Sequence, residues 1–268
     1  MVIPKPSMFL KGSNIGGIAF VCILLPILVV SSGCGKKNEI DCGPLDQRGA
    51  FMSPLPGEGV TRVVLDRAFA GERESRSALL QAIDLWNSYS TRSFGRPVFR
   101  AEEAPLAGSS GGPARKDDCE RVEGSGNAFK IILDQSDAKQ PGSRWRQMGL
   151  DITNPGVTLR CYDRNNNLEK QVILINALNT DSDQFLSIAL HELGHALGLD
   201  HSCDLGAGSD KFRSCEGLNW DHPYRQAVMF PTLQGGALDR MRVGTFVEKK
   251  ETVQSNDEER ANCLYQKK

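Results

Sequence analysis

The sequence predicts an α+β domain, and three observations lead to this fold class. Short apolar runs rich in β-branched residues are typical of strands. Two longer segments have apolar residues at helical spacing. The order along the chain is strand, helix, several strands and a second helix, and no internal repeat is present. The chain beyond residue 59 is long enough for one well-formed core.

The first strand and the first helix are predicted near the start of this domain. Residues 60–65 form a short run rich in valine, which favours a strand. Residues 73–89 are predicted to form an amphipathic helix packed on the sheet. Its apolar positions are Leu79, Leu80, Ile83 and Trp86.

The remaining strands are predicted between the two helices. Residues 97–100 and 129–133 are short apolar runs, and the Gly- and Ser-rich residues 104–118 between them predict a surface loop. Residues 156–162 and 168–176 flank an Asp- and Asn-rich turn, which predicts a hairpin.

The second helix follows this hairpin and carries the most informative motif. Its apolar residues recur at helical spacing: Leu186, Ala189, Leu190, Leu193, Ala196 and Leu197. His191 and His195 are one turn apart, so their rings leave the same face of the helix. Gly198 can end the helix in a left-handed conformation, after which the chain can turn back and present His201.

These three histidines predict an open zinc site. Three nitrogen ligands leave the fourth tetrahedral position for water or substrate, as in catalytic rather than structural zinc sites. Glu192 follows the first ligand directly and can act as a general base on a water at the metal. A bare His-Glu-x-x-His can occur by chance on a surface helix, but the added glycine and third histidine make the pattern specific. The only other histidine, His222, is interpreted as a loop residue.

A second segment, residues 227–231, reads Ala-Val-Met-Phe-Pro. Together with the zinc motif it resembles the metzincin clan of zinc endopeptidases, in which a methionine turn lies beneath the three histidines; Met229 is the candidate. Within the clan the sequence is most similar to the matrixins, because Ser202 follows the third histidine and residues 255–265 resemble the matrixin C-terminal helix. The alternative for Met229 is a core methionine that fills a gap.

This resemblance implies a fold and an activity for residues 60–268. The expected fold is a twisted mixed sheet with two main helices, a Met-turn and a C-terminal helix. The expected reaction is hydrolysis of peptide bonds in a protein or peptide substrate, by a zinc-activated water with Glu192 as general base. The histidine- and aspartate-rich loop of animal matrixins is missing, so we expect one zinc ion and have no support for calcium sites. Residues 202–226 are an insertion relative to the family.

Residues 1–33 have the layout of a secretion signal, with two lysines, an apolar stretch and small residues at its end. The ending Ser-Ser-Gly-Cys resembles a bacterial lipoprotein box, in which Cys34 is acylated and becomes the first residue. We therefore expect a lipid-anchored protein of the bacterial cell envelope, with residues 34–59 as a tether or short pro-segment. A secreted protein or an uncleaved anchor is the alternative.

The cysteines are consistent with export. The chain has 8 Cys, and six remain after Cys22 in the signal and Cys34 at the lipid site are set aside. An even number in an exported chain predicts up to three disulfides, and we expect Cys203 and Cys215 to pair because they close a short loop. Cys42 lies in a segment that resembles the matrixin cysteine switch, although its proline is displaced. A disulfide is the preferred role for Cys42, and a switch is the alternative.

The formal net charge of −1 gives no indication of a nucleic-acid partner. Two other functions remain open at this point. The chain could be a binding or structural lipoprotein that retains the metalloprotease fold without turnover, although such a site would not need Glu192. It could also be a peptidase that stays latent until residues 34–59 are cut.

Overall fold

The computed structural model describes residues 59–104, 118–125, 127–137, 139–150, 154–165, 167–180, 183–203, 214–215, 217–231 and 249–266. The predicted signal, the tether, Cys34 and Cys42 lie outside these residues, and so does most of the predicted loop at 104–118. Within the described part of the chain, no helix combines the length and apolarity needed to cross a membrane.

A single mixed sheet organises the domain. Its strands are β1 (Thr61–Leu65), β2 (Phe99–Glu103), β3 (Gly124–Ser125), β4 (Ala128–Asp134), β5 (Gly156–Tyr162) and β6 (Leu168–Asn176). The order across the sheet is β2-β1-β4-β6-β5, and the first four of these strands are parallel. β5 pairs antiparallel with β6, and the short β3 pairs antiparallel with β4. The hairpin therefore has the predicted bounds.

The second strand begins at Phe99 rather than at the predicted residue 97. The Asn87 side chain explains the shift, because its Oδ1 accepts hydrogen bonds from the backbone N–H groups of Val98 and Phe99, at 3.0 and 2.9 Å. Pro97 has no N–H to donate. The strand then continues to Glu103, three residues further than its apolar run, because it pairs with β1 along its whole length.

Three helices are long enough to frame the domain. They are α1 (Arg73–Phe94), α3 (Phe185–Ala196) and α5 (Ser255–Gln266); α2 (Arg144–Gln147) and α4 (Pro223–Gln226) are single turns that were not predicted. α1 ends at Gly95, which adopts a left-handed φ of 71° and donates its N–H to the Thr91 carbonyl. It exceeds its predicted end because Phe94 packs edge-on against Tyr265 of α5.

The main core lies between the sheet and the pair formed by α1 and α3. Trp86 of α1 is fully buried there, and its indole N–H donates to the Leu190 carbonyl of α3, 3.0 Å away. A smaller core covers the opposite face of the sheet, where Trp145 of α2 packs near the Cys119–Cys161 disulfide. With both faces covered, all seven residues of β4 are buried. These findings confirm the predicted α+β class with a mixed sheet.

Candidate active site

The three predicted histidines converge at the end of α3 and the turn after it. One ligand atom from each ring lies within 4.8 Å of the others. His191 and His195 are one turn apart on α3, and Gly198, with a φ of 102°, reverses the chain so that His201 returns to them. Among the residues that the structure describes, this is the one group of three or more such side chains placed to hold a metal ion.

Two of the three rings are oriented by backbone carbonyls. Nδ1 of His191 lies 2.8 Å from the Val228 carbonyl oxygen, and Nδ1 of His195 lies 2.9 Å from that of Leu199. A carbonyl oxygen only accepts, so each Nδ1 carries the proton and each Nε2 keeps its lone pair for a metal.

The low pKa values of His191 and His195 keep their rings neutral, and this favours metal binding. Burial and, to a lesser extent, the neighbouring His201 together lower the pKa of His191 from 6.5 to about 3. Burial likewise holds the pKa of His195 well below its ordinary value. Neutral imidazole is the form that binds metal, and three nitrogens around an open position suit zinc.

Glu192 lies beside the cluster but outside it. Its side chain is 5% exposed, and Oε2 accepts a hydrogen bond of 2.7 Å from the Thr158 hydroxyl on β5. Burial raises the pKa of the Glu192 carboxyl to about 7, against the opposing effects of the Thr158 hydrogen bond and the positive charge of Arg160. A carboxyl of this kind can take and give a proton near neutral pH.

Residues 227–231, the predicted Met-turn, lie directly against α3. Met229 is fully buried, and a Cβ on Gly194 would collide with its Sδ, so the glycine provides the space for this side chain. The Met229 carbonyl accepts the Ser202 N–H at 2.7 Å, while the Val228 carbonyl orients His191. The turn is therefore connected to both ends of the metal motif.

Two residues of α5 support the site, and their roles were not predicted. Asp257 is fully buried and accepts hydrogen bonds from the backbone N–H groups of Val228 and Met229. Arg260 donates through Nη2 to the carbonyls of Asp200 and His201, at 2.8 and 3.0 Å. The acidic start of α5 was visible in the sequence, but no local pattern indicates what Arg260 contacts.

The described residues of the insertion after His201 pack against residues 227–231. Cys203 and Cys215 form a disulfide whose sulfurs lie in a small cluster with Phe230. The Ser202 hydroxyl donates to the Tyr224 carbonyl at 2.6 Å. His222 caps the N-terminus of α4 by accepting from the Tyr224 N–H, which is consistent with a loop role.

The other cysteines are divided between described and undescribed parts of the chain. Cys119 and Cys161 form a disulfide, and Cys263 is also disulfide-bonded, to a partner outside the described residues. Cys34 and Cys42, the predicted lipid site and the possible switch, lie outside them as well.

Comparison with known families gives one match. A family model described as Matrixin matches residues 61–208, a stretch that runs from β1 to a point beyond His201. The Met-turn and α5 lie after the matched residues, so their likeness to that family rests on sequence and geometry alone. No curated protein matches the sequence significantly.

Proposed function

The chain belongs to the matrixin family of zinc metallopeptidases, and from this premise we propose that it is an endopeptidase that hydrolyses peptide bonds in protein substrates. The observation that carries the proposal is the convergence of His191, His195 and His201 beside the buried carboxyl of Glu192. A site kept for stability alone would not need that carboxyl.

The three histidines would hold one zinc ion, each through one ring nitrogen. When bound there, zinc supplies Lewis acidity, which lowers the pKa of a water and polarises the carbonyl of the scissile peptide. Val228 and Leu199 fix the rings of His191 and His195, and Arg260 fixes the backbone at His201. Met229, which is buried against Gly194 of α3, is proposed to form the floor of the site.

Glu192 is proposed as the general base and acid. Its carboxylate takes a proton from the attacking water and passes it to the leaving amine. The elevated pKa of the carboxyl, caused mainly by burial, suits both transfers near neutral pH.

The substrate is proposed to lie along β5. This strand pairs with β6 on one side, and within the described residues no strand pairs with its other side. The free edge offers backbone donors and acceptors to an extended peptide. The adjacent Glu192 would then be close to the peptide bond.

Replacement of Glu192 by Gln tests the enzyme proposal. We expect E192Q to lose cleavage of a denatured protein while it keeps the wild-type zinc content, measured by mass spectrometry of the metal. Glu169, an exposed carboxylate on β6, provides the matched control as E169Q. If wild type and E192Q cleave equally, the proposal fails and a binding or structural role takes its place.

We propose further that Cys34 is acylated and that the mature protein is anchored at the bacterial cell envelope. The signal-like residues 1–33 and the two described disulfides support export, because disulfides persist in oxidising compartments. Mass spectrometry of the mature N-terminus should find a lipid on Cys34, and C34A should release the protein in soluble form. An unmodified N-terminus elsewhere would refute anchoring, and one beyond residue 59 would indicate a processed pro-segment.

A further inference from the structure

The face of β5 that lies against α3 is polar where an apolar face would be expected. Alternate residues of a strand point to opposite sides. Val157, Leu159 and Cys161 pack in the smaller core. On the other side, Thr158 donates a hydrogen bond to Glu192 of α3, and Arg160 donates one to the Leu199 carbonyl in the turn after this helix. Thr158 is half-buried here, and a hydroxyl removed from water needs a hydrogen-bond partner to offset the desolvation cost.

Both carboxylate oxygens of Glu192 contact residues of β5. Oε2 lies 2.7 Å from the Thr158 hydroxyl. Oε1 lies against Gly156, where an added Cβ would be 2.8 Å from it and 2.9 Å from Cγ of the same glutamate. Gly156 therefore leaves space for one oxygen while Thr158 binds the other.

The hydroxyl of Thr158 is suited to this contact. It also lies 3.1 Å from the main-chain carbonyl oxygen of Glu192, but it has one proton, and the shorter contact is to the carboxylate. A hydrogen bond to an ionised carboxylate is about twice as strong as one between neutral groups. The bond thus favours one orientation of the Glu192 side chain.

We propose that Thr158 is a positioning residue for Glu192: its hydroxyl holds Oε2 and leaves Oε1 to take the proton. This inference rests on the proposed role of Glu192 as general base. It also implies that the strand proposed to bind substrate is the strand that orients the base. A shift of β5 would therefore change both substrate pairing and proton transfer.

Two substitutions at one position test the inference. T158V keeps the shape of the side chain and removes the hydroxyl, and T158S keeps the hydroxyl and removes the methyl group. We expect T158V to lower kcat for a peptide substrate by about 10- to 100-fold, the effect of losing a hydrogen bond to a charged group. KM should change by less than about threefold, and T158S should retain most of the wild-type kcat.

Several results would overturn the inference. They are a T158V variant with wild-type kcat, an equal fall of kcat in T158S, and a fall of kcat that accompanies lost zinc or a lowered unfolding midpoint. The first shows that the hydroxyl is dispensable, and the others indicate a packing or folding role.

A measurement without turnover separates this inference from the proposed function. Crystal structures of the zinc-loaded wild type and T158V should show the Glu192 carboxylate on Thr158 in the first and displaced in the second. An unchanged carboxylate position overturns the positioning role, whatever the activity. If the carboxylate moves as expected but the wild type cleaves nothing, positioning is supported and the endopeptidase proposal fails.

Discussion

The carboxylate of Asp257 accepts a hydrogen bond from the backbone N–H of Met229, 3.1 Å away. A second hydrogen bond comes from the Val228 N–H, at 2.8 Å. The Val228 carbonyl in turn accepts from the ring of His191. A residue of α5 therefore stabilises the position of the first histidine through the turn beneath it.

Replacing Asp257 by Ala should destabilise the protein substantially. Two buried backbone N–H groups lose their acceptor, and each unpaired group costs about 1–3 kcal/mol. We expect the free energy of unfolding, measured with urea, to fall by at least about 2 kcal/mol. E259Q, on the same helix, should change it by less than about 0.5 kcal/mol. Equal effects of the two substitutions would contradict the proposed role.

Replacing Gly194 by Ala should also destabilise, although alanine normally favours a helix. Alanine would add about 0.5–1 kcal/mol of stability in a helix interior. At Gly194, however, its Cβ would collide with Met229 and lie 3.1 Å from the Trp86 ring. Overpacking of this kind costs about 1–3 kcal/mol, so the net change should be a loss. G142A is the control because nothing lies within 4 Å of a Cβ there, and a G194A variant as stable as G142A would argue against this packing.

The stability of the metal-free protein should fall in acid. Burial lowers the pKa of His191 to about 3 in the folded chain, whereas the unfolded chain takes up this proton below 6.5. Between these values the unfolded state binds more protons, so the free energy of unfolding decreases as the pH falls from about 6.5 toward 3. Urea titrations with a chelator at pH 7 and pH 5 should show a smaller decrease for H191Q than for wild type. H222Q, altered outside the cluster, should retain the wild-type decrease. The same decrease in the free energy of unfolding for all three proteins would contradict the role given to His191.

The two described disulfides should contribute unequally. Cys119–Cys161 has a sequence separation of 42 residues and Cys203–Cys215 one of 12. In the chain-entropy account a longer closed loop gives more stabilisation, here by about 1 kcal/mol. Removing the first pair as a double serine variant should therefore lower the unfolding free energy more than removing the second. The reverse order would show that local strain or packing decides the effect.

Cys42 should be a disulfide partner rather than a switch. Cys263 is disulfide-bonded, and four of the other cysteines pair with each other, which leaves Cys22, Cys34 and Cys42 as candidates. If Cys22 is removed with the signal and Cys34 carries lipid, Cys42 is the partner of Cys263. Peptide mapping without reduction should then find the two peptides linked. A free Cys42 thiol in the purified protein would restore the switch hypothesis.

The parts of the site that could be predicted are local in sequence. His191, Glu192, His195 and His201 lie within eleven residues, so helical spacing and one glycine turn are enough to bring them together. The hairpin was predictable for the same reason, because its two strands and its turn are contiguous.

The supporting contacts were not predictable in this way. The bond from Thr158 to Glu192 depends on which face of β5 meets α3, and Arg260 reaches the His201 carbonyl only once α5 has docked. The start of β2 at Phe99 depends on the side chain of Asn87, 12 residues earlier. Tertiary packing decides such contacts, and no short pattern encodes it.

The contacts of α5 with the histidine segment set an order of events during biosynthesis. A chain emerges from the ribosome N-terminus first, so α3 with His191 and His195 is made well before Arg260 and Asp257. Until residues 255–266 have been synthesised and docked, the turn beneath the histidines and the backbone at His201 lack these partners. A chain that ends before residue 255 therefore lacks the hydrogen bonds that fix the histidine segment.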